Sequence, residues 1–204
     1  MTLLPAETPH FFGYGSLVHR GTHDYPVRMR AEVRGWRRVW RHSRHRKVAF
    51  LTVTRAPGAS IAGLVAAVPN ADWAALDARE RAYDRIRLGA HEQAEATTLD
   101  LHVYEASPHH VADPDQRHPI LLSYLDTVIG GYLAEFGRAG AEAFFETTDG
   151  WNGPVLNDRS APIYPRARPL PGADRALVDS ALAALSAQVQ EPEETGLPGE
   201  GRAL

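Results

Sequence analysis

Phe12-Gly13-Tyr14-Gly15-Ser16-Leu17 closes a short apolar run that begins at His10. A brief apolar stretch ended by a glycine turn reads as a buried strand. Glycines at 13 and 15 permit close backbone approach and positive φ, and the small Ser16 leaves room beside them. Such a turn can aim the N–H groups of Gly15, Ser16 and Leu17 at one anionic or carbonyl oxygen, the alternative being a plain turn at a strand end. The spacing is not the dinucleotide fingerprint, because Val18 stands where a third glycine is required.

Outward from this strand the pattern is first strand-like and then helix-like. Residues 27–41 alternate in part, with Val33, Val39 and Trp40 among arginines, while 47–54 and 60–68 are rich in Val, Ile, Leu and Ala. Pro57-Gly58 predicts a hairpin turn between those last two. Asn70 is placed to cap a helix running to about Ala82, with Asp72 near the positive end of its dipole. Residues 93–105, in which Leu99, Leu101 and Val103 alternate, predict one long strand or a strand pair, and a polar loop with His109 and His110 follows.

The helical spacing of Leu121, Tyr124, Leu125, Val128, Ile129, Tyr132, Leu133 and Phe136 predicts a helix over 119–136, with Pro119 in its first turn. A shorter helix around 141–146 leads into a proline-rich loop over 149–171 that bears Trp151, Ile163 and Tyr164. A loop of that length is either functional or a wrap over the core. A last helix is expected over about 174–190, with Val178, Leu182, Leu185 and Val189 on one face. Residues 191–204, rich in Pro, Gly and Glu, are expected to be a disordered tail behind a single domain over 1–190.

The helix after Asn70 carries the chemistry. Trp73, Leu76 and Glu80 are separated by three and four positions, which sets them in one narrow arc, so Glu80 points towards the core. A carboxylate against apolar neighbours has its charged form disfavoured, and its pKa climbs towards the range of a general acid or base. The alternative is an ion pair with Arg79, Arg81, Arg85 or another arginine at a helix end.

At 204 residues the chain suits one domain and can bury roughly 70% of its unfolded surface without staples. The absence of cysteine excludes thiol nucleophiles and Cys-based zinc or iron–sulfur sites. Met1 to Glu7 have neither a basic n-region nor an apolar h-region, and no segment approaches the roughly 18 apolar residues of a membrane span. A soluble, cytoplasmic protein without a membrane partner is therefore expected. The net charge of −3 gives no global reason for nucleic acid or anionic lipid as a partner. Lys47 is the only lysine, so a Walker-type phosphate lysine is missing and Schiff-base chemistry would rest on Lys47 alone.

Phe12-Gly13-Tyr14-Gly15-Ser16-Leu17 resembles the opening signature of the gamma-glutamylcyclotransferase superfamily, including its AIG2-like and ChaC-related branches. Gly35-Trp36-Arg37-Arg38-Val39-Trp40 looks like the aromatic and basic strand that follows in ChaC relatives. Leu76-Asp77-Ala78-Arg79-Glu80, with Tyr83 after it, is similar to their catalytic-glutamate segment, although Arg81-Ala82 stands where those relatives carry a glycine-rich stretch. The resemblance covers roughly residues 10–105, and 117–170, with Trp151, Asp158, Arg159 and Tyr164, looks more like bacterial family members of unassigned substrate. It implies an α+β fold, a small mixed sheet curled towards a barrel with flanking helices. It further implies a γ-glutamyl substrate held by Tyr14, Gly15, Ser16, Leu17 and Tyr83, with Glu80 as the catalytic acid and base, 5-oxoproline as product, and no cofactor or metal. A non-catalytic ligand-binding or regulatory domain of the same fold, or a related deacylase, are the competing readings.

Other constellations are weaker. His42, His45, His91, His102, His109 and His110 form no His-Glu-x-x-His pattern, and locally bonded or solvent-facing histidines are the expectation over a metal site. The basic run from Arg34 to Lys47, interleaved with Trp36 and Trp40, resembles a nucleic-acid stripe, but alternate side chains on a strand face opposite ways. A local anion site built from Arg37, Arg38 or Arg41 is the more economical expectation, and no nucleic-acid partner is expected. Arg38, Trp151, Asp158 and Arg159 are candidates for the pocket rim, although Asn157-Asp158-Arg159 also reads as a simple turn.

Overall fold

The computed structural model describes residues 8–94, 99–113 and 117–192. The opening run forms β1 (His10–Gly13), buried along its whole length. It lies between β3 (Ala49–Ala67), antiparallel to it, and β5 (Leu101–Ala106), parallel to it. With β2 (Val27–His42), β4 (Tyr83–Arg87) and β7 (Thr148–Asp149) these build a six-stranded mixed sheet in the order β4-β5-β1-β3-β2-β7. The sheet stays open, since its edge strands β4 and β7 do not pair with each other. A small parallel sheet joins β6 (Ile120–Leu121), β8 (Val155–Leu156) and β9 (Val189–Gln190). Among the described residues three α-helices complete the α+β fold: α1 (Ala74–Arg79), α2 (Leu122–Glu146) and α3 (Gly172–Ala184).

The hairpin expected at Pro57-Gly58 does not form. Residues 49–67 are one continuous strand that pairs with β2 on both sides of that dipeptide, from His42↔Ala49 to Val27↔Ala66. The register jumps from Arg34↔Ser60 to Trp36↔Arg55, with Gly35 and Gly58 at φ +80° and +83°. The glycine turn signal therefore makes a bulge, not a reversal, because both flanks find the same partner strand. The distal half of the ribbon packs on α2: Trp40 meets Tyr124 edge to face at 5.8 Å, and the Arg38 guanidinium sits 5.0 Å from the ring centres of Tyr132 and Phe144.

The helix after Asn70 is shorter than expected. Asn70 and Ala71 adopt left-handed φ of 57° and 53°, so the cap passes to Asp72, whose Oδ1 accepts from the Ala74 N–H at 3.2 Å. The helix ends at Arg79, and the Tyr83 N–H returns to the Glu80 carbonyl at 2.8 Å, which turns the chain into β4. Leu76, fully buried, anchors α1 in a satellite core with Phe11, Leu17 and Tyr104. Of the strand expected over 93–105, Leu101–Ala106 is formed and pairs with β4, while residues 95–98 lie outside the described residues.

The two helices expected at 119–136 and 141–146 are joined in α2 and interrupted at Gly137, where φ is +68°. Pro119 lies before the helix, and Ile120–Leu121 is strand. In α3, Val178 and Leu182 are buried as expected, but the helix stops at Ala184 and leaves Leu185 and Val189 exposed. The tail expected from 191 lies, beyond Pro192, outside the described residues. Among the described residues no helix is long and apolar enough to cross a membrane.

Candidate active site

Strand β1 delivers the chain into a 3-10 turn, Ser16–Val18, closed by Val18 N–H to Gly15 O at 2.9 Å. The N–H groups of Ser16 and Leu17 open this turn and so have no partner within it. Neither Gly13 nor Gly15 has positive φ, contrary to the expectation from sequence. Gly15 instead combines φ −120° with ψ −129°, outside the regions open to L side chains, and both glycines give space: a Cβ on Gly13 would lie 2.8 Å from Leu17 Cβ, and one on Gly15 would lie 2.7 Å from the Tyr124 hydroxyl. Tyr14 is buried and donates its hydroxyl to the Tyr104 carbonyl at 2.6 Å. Behind the turn, the Tyr14 carbonyl accepts from Arg38 Nε at 3.1 Å and from the Tyr132 hydroxyl at 3.0 Å.

Glu80 reaches this turn from the end of α1. Its side chain is 17% exposed and pairs with Arg79, Nε to Oε1 at 3.0 Å. Arg79 also donates to the Thr22 carbonyl at 2.8 Å and approaches Ser16 Oγ at 3.4 Å, so one guanidinium ties the carboxylate to the turn. Burial pushes the Glu80 carboxyl above the usual carboxylate range, against the opposing pull of Arg79 and Arg166. The ion pair and the cavity position, alternatives at the level of sequence, thus coexist.

Two connected spaces meet at Glu80. An inner recess of about 30 Å³ is lined by Tyr14, Gly15, Ser16, Leu17, Tyr83 and Glu80 together with Leu51, Tyr104 and Tyr124. An outer cavity of about 490 Å³ shares Ser16, Leu51, Glu80, Tyr83 and Tyr124 with it. The Tyr83 hydroxyl donates to the Leu51 carbonyl at 2.8 Å. Burial pushes Tyr14, Tyr83 and Tyr124 far up, with the nearby Glu80 charge adding to the effect, so their phenols stay neutral hydrogen-bond donors. A carboxyl with a raised pKa, set among neutral phenols beside the opening turn, can take up a proton and return it.

The four rim candidates lie elsewhere. Arg38 is 1% exposed and pins the fold: besides Tyr14 O it donates to Thr147 Oγ1 at 2.6 Å, Ala62 O at 2.5 Å and the Tyr132 hydroxyl at 2.6 Å. Trp151 stacks on Phe145 at 5.3 Å in the core. Asp158, 1% exposed, accepts from the Ser123 N–H at 2.7 Å in the first turn of α2 and from the Ile163 N–H at 2.9 Å. Arg159 pairs with Asp126 and Asp179 at 2.8 and 2.7 Å. None of the four lines either space. The expected anion site at Arg37, Arg38 or Arg41 does not form there either, since Arg37 is held by Asp149 at 2.7 Å, Arg38 is locked in the core and Arg41 lies outside the lining.

Sequence reading missed Tyr124, which its spacing assigns to the apolar stripe, and Arg46 and Arg166, whose loops carry no local signal. Of the 149–171 loop, Trp151 packs inside while Tyr164, Pro165 and Arg166 line the cavity. Among the described residues no three His, Asp or Glu side chains come together as a metal-holding group.

A family model described as gamma-glutamyl cyclotransferase, AIG2-like, matches residues 11–123. Among solved structures the fold is similar to one named gamma-glutamyl cyclotransferase, at 14% identity and TM-score 0.55 over 85% of this chain and 99% of that one. An uncharacterized protein from Homo sapiens is similar with the same identity, TM-score and coverage. YkqA from Bacillus subtilis is similar at 14% identity and TM-score 0.52, over 68% of this chain and 53% of that one. At these identities the structural likenesses speak for the fold alone. No curated protein matches the chain.

Proposed function

Because the match takes in residues 11–123 of 204, the chain belongs to the gamma-glutamyl cyclotransferase, AIG2-like family, and on that premise we propose that it converts a γ-glutamyl compound into 5-oxoproline and a free amine. The observation that carries the reading is the place of Glu80, a half-buried carboxylate with a raised pKa where the turn recess meets the larger cavity.

In this reading the N–H groups of the 15–17 turn and the phenols of Tyr83 and Tyr124 hold the γ-glutamyl group. Glu80 takes a proton from the α-ammonium group of the substrate. The freed amine attacks its own γ-carbonyl carbon, a lactam C–N bond forms, and the original amide C–N bond breaks. Glu80 hands its proton to the departing nitrogen and then carries there the second proton that the ring nitrogen sheds, so one carboxyl serves every transfer and the amine leaves as its ammonium ion. The nucleophile belongs to the substrate, and holding it near its carbonyl is worth about 7–11 kcal/mol in favourable cases. A raised pKa suits the task, because base and acid forms must both be accessible.

The test is 5-oxoproline release from γ-glutamyl-alanine, a γ-glutamylamine and glutathione. Glu80→Gln, isosteric but unable to carry the proton, is expected to lose turnover by about 10²–10⁴-fold with an unchanged circular dichroism spectrum. Full activity in a folded Glu80→Gln protein refutes the assignment. The absence of product from every γ-glutamyl compound favours a binding domain, for which the Arg79–Glu80 pair is then structural.

A further inference from the structure

The outer cavity is cationic in a chain whose net charge is −3. Arg46, Arg79, Arg81 and Arg166 line it, and Glu80 is the carboxylate among its lining residues. Arg79 is committed to Glu80 and to the Thr22 carbonyl. Among the described residues the side chains of Arg46, Arg81 and Arg166 have neither an ion pair nor a hydrogen bond. Arg46 is half-buried while Arg81 and Arg166 are exposed, and the half-buried Arg37 and Arg159 elsewhere are paired, with Asp149 and with Asp126 and Asp179.

The main chain that carries Arg46 is fixed, and the residue is half-buried. It sits at the tip of the β2–β3 ribbon, where Ser43 Oγ accepts from the N–H groups of His45 at 3.2 Å and Arg46 at 3.1 Å, while the Ser43 N–H closes on the Val48 carbonyl at 3.2 Å. Burial and the neighbouring Arg81 push the pKa of Arg46 down, the sign of a cation held beside another without a counter-ion. Arg81 follows Glu80 directly, and Arg166 extends from the exposed end of the 164–166 segment over the same space. Forked guanidinium groups match carboxylates geometrically. The α-carboxylate of a bound γ-glutamyl group can occupy at most part of this set, which leaves guanidinium groups for negative charge on the other half of the substrate.

We propose that the half of the substrate that leaves as the amine is itself acidic: an amino acid or short peptide bearing more than one carboxylate, as in γ-glutamylglutamate, held by Arg46, Arg81 and Arg166. This inference rests on the cyclotransferase reading for what happens to the ligand, but not for which ligand binds. γ-Glutamylamines whose amine half lacks a carboxylate leave part of this guanidinium set without a partner and bind more weakly.

Calorimetry on the Glu80→Gln protein separates ligand class from turnover, with γ-glutamylglutamate and γ-glutamylpropylamine as the probes. The acidic compound is expected to bind about 10–100-fold more tightly, with the preference shrinking as salt is raised. Adding Arg46→Ala and Arg166→Ala should remove at least about tenfold of that preference; should Arg46→Ala fail to fold, Arg166→Ala alone, at an exposed position, gives the same comparison. Equal affinities, tighter binding of the propylamine, binding of neither compound, or a preference untouched by the arginine changes overturns the inference. Wild-type protein assayed in parallel for 5-oxoproline tests the reaction: a preference for γ-glutamylglutamate without any product supports the ligand class and refutes the cyclotransferase reading.

Discussion

Substituting Gly15 by alanine tests whether the opening turn is glycine-bearing for space as well as for backbone freedom. Gly15 has φ −120° and ψ −129°, outside the β and α regions open to alanine, so the backbone adds a cost that does not depend on Tyr124. The packing cost does depend on it. The new Cβ would sit 2.7 Å from the Tyr124 hydroxyl and 3.3 Å from Leu51 Cδ2, inside the roughly 3.5 Å of an unstrained heavy-atom contact. Tyr124 cannot swing freely, because its ring is held edge to face by Trp40 at 5.8 Å and Tyr164 at 5.0 Å. Overpacking of this kind costs about 1–3 kcal/mol, and for a chain of this size each kcal/mol lowers the Tm by about 2–4 °C. Tyr124→Phe deletes the clashing oxygen and leaves Cζ at 3.9 Å from the new methyl, an ordinary contact. The Gly15→Ala/Tyr124→Phe protein should therefore recover about 1 kcal/mol or more relative to the sum of the single changes in a urea-denaturation cycle. Costs that add within about 0.5 kcal/mol refute the reasoning, since the methyl and the hydroxyl would then not be in conflict.

Three further outcomes follow from the same network. The Glu80 carboxyl must be ionised to accept a proton, and burial holds its pKa above the ordinary 4.5, so kcat/KM should fall as the pH drops through a limb lying above that value. The same raised value means that the stabilising contribution of this group is complete below its unfolded pKa and is lost as the pH rises through its folded one; a Glu80→Gln protein should show neither dependence. Arg38→Met should destabilise the fold by about 3–5 kcal/mol in urea titration, because the carbonyls of Tyr14 and Ala62 and the Thr147 hydroxyl would lose a charged donor in the core. An Arg38→Met protein as stable as wild type would show that this guanidinium does not hold the turn in place.

Local pattern in the sequence was sufficient for what depends on nearest neighbours. The apolar run before Gly13-Tyr14-Gly15 marks the central strand because only a strand buried on both faces tolerates such continuity, and the stripe from Leu121 to Phe136 marks the long helix because its period is helical. Glu80 was legible from helical spacing and Tyr83 from the resemblance, and the fold gathers both with the opening turn around one recess. Tertiary structure alone decided what depends on a distant partner. Pro57-Gly58 became a bulge because β2 continues to offer hydrogen bonds on either side, and Arg38 became a core pin because Tyr14, Ala62, Tyr132 and Thr147 converge on it from four separate segments. The charge of the cavity was illegible for the same reason. Arg46, Arg81 and Arg166 come from three loops far apart in the chain, and whether an arginine meets a carboxylate or an open cavity is fixed by how those loops close over Glu80.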